Sequence, residues 1–370
     1  MPPLSLLLKP ASSLCNMRCT YCFYADEANS RVQGSYGIMR SETLACIFEK
    51  AFETAQHSIS ILFQGGEPSL AGLDFYKTAL ALERRYNTRG LRINNSIQTN
   101  GYRIDRTWAQ FFADNHFLVG LSLDGIRQTH DACRRGADGK ESFHTVMETA
   151  RLFDKYKVDY NILTVVNRYT AAQAERIYRF YQKNRLRYLQ FIPCLDPLDA
   201  TEETWLHAED YGQFLCRLFD LWYADLQKGC QPYIRQFENY VGIFLGRMPE
   251  SCDMRGVCGI QYAVEADGSV YPCDFYALDA YRLGNLLTDD FSALDRKRAQ
   301  LKFVETSAQL DTDCRSCSYL PICRGGCRRM RIPGRNGLKN RFCSAYRMFF
   351  DHAINRLTEI AAVISSRTGL

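Results

Sequence analysis

Apolar and polar positions follow two alternating periods through the first half of this chain. Residues 4–9 (LSLLLK) form a short apolar run that reads as a first strand. Five further runs have the same character: 58–64 (SISILFQ), 91–98 (LRINNSIQ), 117–123 (FLVGLSL), 159–166 (DYNILTVV) and 187–192 (RYLQFI). Between them the period lengthens to that of amphipathic helices. Ser41 is placed as the N-cap of a helix running to about Gln56, and helices are expected over 72–87, 105–114, 142–156 and 170–184. Six strand–helix repeats over about 190 residues predict a parallel sheet covered by helices, of the α/β class. The expected architecture is a partial (β/α)6, TIM-like barrel.

Parallel barrels carry their chemistry at the carboxyl ends of the strands. Polar residues fall there: a cysteine-rich loop after the first strand, Gln64-Gly65-Gly66-Glu67-Pro68 after the second and Gln98-Thr99-Asn100 after the third. Ser122-Leu123-Asp124-Gly125 follows the fourth, and Leu195 lies just past the sixth. Residues 205–228 predict one long helix rich in aromatics, whereas 230–250 lack a clear period. The expected division is a barrel over 1–230, a cysteine-rich domain over 231–345 and a C-terminal helix over 346–370.

Composition narrows the setting. The chain has 370 residues, 46% hydrophobic, enough for a large domain and a smaller one. A net charge of +5 is too mild to call for nucleic acid or a membrane surface. Arginine clusters at Arg324, Arg328, Arg329 and Arg331, either as a solvated face or as cations beside thiolates. The opening apolar run has no basic leader or cleavage site, and no uncharged apolar stretch is long enough to span a membrane. Sixteen cysteines without secretory signals fit metal centres in a reducing cytoplasm better than disulfides.

Three of those cysteines sit in one loop: Cys15, Cys19 and Cys22, spaced C-x3-C-x2-C, with Tyr21 before the last. Three thiolates can hold three irons of a 4Fe-4S cluster and leave the fourth iron open to a cosubstrate. A zinc knuckle is the alternative use of such spacing. At this spacing the chain resembles the radical S-adenosylmethionine (SAM) enzymes, which share the expected barrel. The resemblance implies that the open iron takes the amino and carboxylate groups of SAM. It also implies that Gly65-Gly66-Glu67 contact the SAM amino group and that the Tyr21 backbone contacts adenine. Ser122, Arg134 and Leu195 stand at further SAM-contact positions. Arg134 could equally be an ordinary surface arginine.

A second constellation starts at Cys252. It comprises Cys258, then Gly268 and Cys273, then Cys314-x2-Cys317-x5-Cys323-x3-Cys327, and finally Cys343. Eight thiolates match the need of two fully ligated 4Fe-4S clusters, with structural zinc again the alternative. The spacing resembles the SPASM extension of radical SAM enzymes. That resemblance implies one cluster on Cys252, Cys258, Cys273 and Cys327 and another on Cys314, Cys317, Cys323 and Cys343. With the loop cluster, the expected cofactors are three 4Fe-4S clusters and SAM.

Tyr271-Pro272-Cys273-Asp274-Phe275-Tyr276 resembles a segment of the anaerobic sulfatase-maturating enzymes. So do the P-P-L-S-L-L start, C-x3-C-T-Y-C-F-Y, F-Q-G-G-E-P-S-L-A-G-L, S-x-Q-T-N-G, L-V-G-L-S-x-D-G and L-Q-F-I-x-C-L-D-P-L. The resemblance implies oxidation of a cysteine or serine in a sulfatase to Cα-formylglycine. In that chemistry a 5'-deoxyadenosyl radical abstracts a Cβ hydrogen and an auxiliary cluster takes the electron; Asp274, beside Cys273, is the candidate general base, with a capping carboxylate beside the cluster as the alternative. Tyr24, Gln64 and Gln98 are candidate cavity residues. The implied partners are a sulfatase polypeptide carrying C/S-x-P/A-x-R and an electron donor such as flavodoxin or ferredoxin, with the enzyme a monomer. Two alternatives stay open. One is another SPASM peptide maturase forming a thioether crosslink or an epimer, although only 14 residues precede Cys15 and leave no room for an added peptide-recognition domain. The other is a zinc-binding interaction protein.

Overall fold

A computed structural model describes residues 4–198 and 204–368. Residues 1–3 of the motif-bearing start and the last two residues of the expected terminal helix lie outside them. The six expected strands are present as β1 (Leu4–Leu8), β2 (Ser58–Phe63), β3 (Arg92–Thr99), β4 (Leu118–Ser122), β5 (Asp159–Val166) and β6 (Tyr188–Pro193). All pair in parallel in chain order. Helices return the chain between them, as parallel pairing requires.

The helices are α1 (Phe23–Asn29), α2 (Ser41–Thr54), α3 (Leu73–Tyr86), α4 (Arg106–Asp114), α5 (Arg127–Cys133) and α6 (Phe143–Tyr156). Then come α7 (Arg168–Ala171), α8 (Ala174–Lys183), α9 (Ala208–Leu226) and α10 (Arg235–Phe244). Ser41 is not the cap of α2. Arg40 holds that position with no side-chain cap bond, and Ser41 is the first helical residue. Asp105 does cap α4, accepting from the Thr107 and Trp108 amides. The short helices α1, α5 and α7 were missed by the period because they last only four to seven residues.

The second half joins the same sheet. β7 (Tyr233–Ile234) pairs in parallel with β6 at one edge. At the other, β8 (Tyr262–Val264) pairs in parallel with β1, and β9 (Ser269–Tyr271) and β10 (Gly284–Asn285) follow antiparallel. The result is one ten-stranded sheet, open at both edges. The expected seam at residue 230 therefore falls just before β7 and α10, and both of these pack on the barrel.

The terminal helix, Cys343–Thr368, starts three residues earlier than its expected boundary and packs along α9 and α10. Phe349 anchors it: fully buried, it stacks on Phe237 at 5.8 Å and meets the Phe219 ring edge-on at 5.7 Å. Phe349→Ala is expected to remove about 3–5 kcal/mol of stability by leaving a cavity between three helices. Thermal unfolding followed by circular dichroism checks this, and an unchanged midpoint would show that the helix is peripheral to the core.

Candidate functional site

A cavity of about 210 Å³ opens at the carboxyl ends of the parallel strands. Cys15, Cys19 and Cys22 form one wall, and Gln64, Gln98, Ser122, Val165 and Ile192 come from the ends of successive strands. Tyr24, Arg134, Leu195, Phe275 and Met330 complete much of the lining.

The cysteine loop is tied down from α5. The Arg18 amide donates to Arg135 O at 2.8 Å and the Thr20 amide to Cys133 O at 3.0 Å. Arg134 is not a surface residue. It is 8% exposed, donates Nε to Asp124 at 3.0 Å, and reaches Cys19 Sγ with Nη1 at 3.8 Å. Asp124 is fully buried and also accepts from the Tyr21 hydroxyl and from the Val165 amide at 2.9 Å. The phenol of Tyr21 is thus turned inward. Asn100 approaches Cys15 Sγ at 3.7 Å.

Burial pushes the Cys15 thiol up to about 11 and Cys19 up to about 12, although Arg134 pulls the latter down. Thiols so raised become ligands by surrendering their protons to a metal. None of the three is in a disulfide. Among the described residues, no three His, Cys, Asp or Glu side chains converge as ligands of one metal ion do. The irons of a cluster spread their thiolates more widely than a single zinc. Three neighbouring free thiols on one cavity wall fit a cluster with one open iron.

The glycine loop after β2 presses on the cysteine loop. Gly65 and Gly66 have φ of +100° and +52°, and a Cβ on Gly66 would stand 2.2 Å from Leu14 O. Glu67 does not offer its carboxylate freely. One oxygen accepts from the Ser69 amide at 3.0 Å and Thr99 Oγ1 at 2.8 Å, and the other from the Asn100 amide at 2.8 Å. It braces the end of β2 to the end of β3. Gln98 donates to Ser122 Oγ at 2.9 Å, so these two candidates are partners across the strand ends.

Asp274 does not itself line the cavity but is bonded to two residues that do, Tyr24 and Gln64. The chain turns after β9 and sets this carboxyl, 6% exposed, against α1 and the end of β2. Oδ2 accepts from the Tyr24 hydroxyl at 2.5 Å and from Gln64 Nε2 at 2.9 Å. Gln64 also donates to the Tyr24 oxygen at 2.6 Å. Oδ1 has no hydrogen-bond partner among the described residues. Burial pushes Asp274 up to about 6, against the pull of Lys9 and the Tyr24 bond.

The eight later cysteines separate into two groups. Cys314, Cys317, Cys323 and Cys343 line one cavity of about 110 Å³. Cys327 lies with the other set: Cys252 and Cys258 act on it, and Cys273 feels both Cys327 and Cys252. The clustered arginines do not form a solvated face. Arg331 donates to the Ser307, Gln309, Gly325 and Gly326 carbonyls and is felt by thiols of both groups, while Arg328 lies over the Phe303 ring at 4.7 Å. Sequence reasoning placed Asn100 and Asp124 at strand ends without a role and missed Lys9 and Cys194 as site residues. A lone lysine ending an apolar strand was the available signal for Lys9.

Comparison with known proteins agrees with this geometry. Residues 10–181 match the Radical SAM superfamily model and 256–318 the SPASM iron-sulfur cluster-binding domain. The chain is 45% identical to a cysteine-type anaerobic sulfatase-maturating enzyme of Clostridium novyi (strain NT), over 99% of this chain and 100% of that one. It is 32% identical to a serine-type enzyme of Bacteroides thetaiotaomicron, over 95% and 89% of the two chains. A solved structure of native anSMEcpe with bound AdoMet and Cp18Cys peptide superposes with a TM-score of 0.92 at 43% identity, covering 98% of this chain and 100% of that one.

Gly66→Ala forces the Leu14 carbonyl, and with it the Cys15 loop, to move. The variant is expected to lose iron from the loop site and most SAM affinity while keeping iron at the eight later cysteines. Iron analysis and equilibrium SAM binding check this; full SAM affinity would show that the close approach is dispensable.

Proposed function

Since this chain belongs to the anaerobic sulfatase-maturating enzymes of the radical SAM superfamily, we propose that it oxidises a cysteine of a sulfatase polypeptide to Cα-formylglycine. Greater identity to cysteine-type than to serine-type relatives supports the choice of cysteine. The observation that carries the reading is the Asp274–Tyr24–Gln64 cluster, whose Tyr24 and Gln64 line the cavity that also bears three free thiols. Cys15, Cys19 and Cys22 hold the open cluster, and the two groups of four later cysteines hold the auxiliary clusters. When bound, SAM and the three 4Fe-4S clusters supply a 5'-deoxyadenosyl radical and an electron sink.

The protein's own residues do the rest. Gly65 and Gly66 let the backbone approach the SAM amino group, with the Tyr21 main chain, Ser122, Arg134 and Leu195 around the remainder. The cavity residues would hold the target side chain in place, since an unaligned radical would be wasted. After one hydrogen atom has left Cβ, Asp274 takes the proton while one electron departs, leaving a thioaldehyde. Water replaces its sulfur as hydrogen sulfide and yields the aldehyde. Tyr24 and Gln64 fix Oδ2, which leaves Oδ1 for the proton.

Anaerobically reconstituted protein is expected to be brown, with about twelve irons from three four-iron clusters. With SAM, a reductant and a peptide containing C-x-P/A-x-R, mass spectrometry should show the aldehyde; an unmodified peptide beside abundant 5'-deoxyadenosine would sink the assignment. Asp274→Asn should still cleave SAM but lose about a hundredfold or more of aldehyde formation. Only the ionised carboxylate can accept the proton. Aldehyde formation in the native enzyme should therefore fall as pH drops through about 6, the value to which burial raises Asp274. A negatively charged cluster on Cys273 moves that point upward. A rate flat from pH 5 to 8 would remove Asp274 as the base.

A further inference from the structure

Behind Asp274 lies a buried ion cluster that this reaction does not employ. Lys9 follows β1 and is 1% exposed. Its ammonium donates to Glu265 Oε1 at 2.6 Å, and Arg31 Nη1 donates to the same oxygen at 2.6 Å. Glu265 directly follows β8, where Leu8 pairs with Val264, so Lys9 and Glu265 continue the register of that pair. The ion pair sits at the join between the barrel strands and the auxiliary strands.

Arg31 alone would balance the Glu265 charge, and Lys9 also pulls on Asp274, in the site itself. A second fully buried cation on one carboxylate oxygen is costly and needs another reason. Glu27 does not supply it. Burial pushes its carboxyl up to about 8, against the pull of Lys9 and Arg31, and among the described residues it makes no ion pair with either cation. What Lys9 does touch belongs to the site. Its ammonium stands 5.0 Å from the centroid of the Tyr24 ring. Its stem packs beneath Gly65, where a Cβ would come within 2.7 Å of Lys9 Cγ and Cε. Arg31, by contrast, faces the Tyr36 ring.

We propose that Lys9 is a positioning residue for the proton-transfer step: anchored by Glu265, its ammonium holds the Tyr24 ring so that the phenol stays on Asp274 Oδ2. The inference rests on Asp274 being the base. Without Lys9 the ring is free to shift, the clamp on Asp274 loosens, and hydrogen abstraction outruns proton removal.

The readout is the ratio of 5'-deoxyadenosine to aldehyde, measured beside iron content and thermal midpoint in the reconstituted holoenzyme. Lys9→Met leaves Glu265 paired with Arg31, and its ratio should rise about tenfold or more, as expected when a reacting group is misplaced. Arg31→Met breaks the other arm of the same fork without touching Tyr24 and should leave the ratio at the native value. Glu265→Gln releases the anchor of Lys9; it should raise the ratio too, and it reads the same step if Lys9→Met does not fold. An unchanged ratio in Lys9→Met, or an equal rise in Arg31→Met, would overturn the proposal and reduce Lys9 to a structural cation. Native enzyme that forms no aldehyde would instead sink the reaction itself, so the two failures are distinct.

Discussion

The parallel pairing of β1 with β8 is the contact on which the site depends. Without it the barrel would end at β1, and the cysteine loop would open onto solvent on that side. With it, the auxiliary strands extend the same sheet, and the turn after β9 lays Asp274 against Tyr24 and Gln64. Parallel edge strands expose unpaired backbone groups, which β8 satisfies at this edge. The pairing is short, from Leu6–Tyr262 to Leu8–Val264. The buried Lys9–Glu265 ion pair therefore continues the strand pair with a side-chain link.

The rim is rigid for a related reason. Three successive strand ends are tied to the next by a polar side chain: Glu67 to Thr99 and Asn100, Gln98 to Ser122, and Asp124 to Val165. Glu67 and Asp124 are buried, so losing their bonds would leave a desolvated carboxylate. A radical enzyme gains from such a rim, because its cavity walls must not drift while the reactive carbon waits for its target.

Much of this was legible in the sequence because it repeats. Six apolar runs at regular spacing gave the strands, and strand ends are where parallel barrels place polar residues. The C-x3-C-x2-C loop and the later cysteines were legible because ligand spacing is constrained by the metal. What escaped lacked a period or a local cause. The helices α1, α5 and α7 are too short to show amphipathy. β8, β9 and β10 have two or three residues each, and their place beside β1 is a long-range pairing that no local pattern encodes. The Glu67 carboxylate braces the ends of two strands, a role that depends on Thr99 and Asn100 thirty-odd residues away rather than on any local pattern. Arg134 looked like either a surface or a site residue until the burial of Asp124 decided it.

The placement of Asp274 next to Cys273 suits an oxidation that sheds a proton and an electron together. Were the two to leave by opposite walls of a dry cavity, the departing charges would be separated through a low-dielectric medium, at a cost that grows as the dielectric falls. In the proposed reaction, adjacent residues would shorten that separation: Asp274 would take the proton beside Cys273, one of the thiols proposed to hold an auxiliary cluster. The raised affinity of Asp274 for protons fits the same logic. A carboxyl that burial has made more basic holds the proton better, and a buried cluster that has gained an electron holds it better with a neutralised neighbour. In the proposed reaction a proton acceptor beside a cluster ligand would reinforce the electron acceptor, and the pairing of β1 with β8 is what brings that turn against Tyr24 and Gln64.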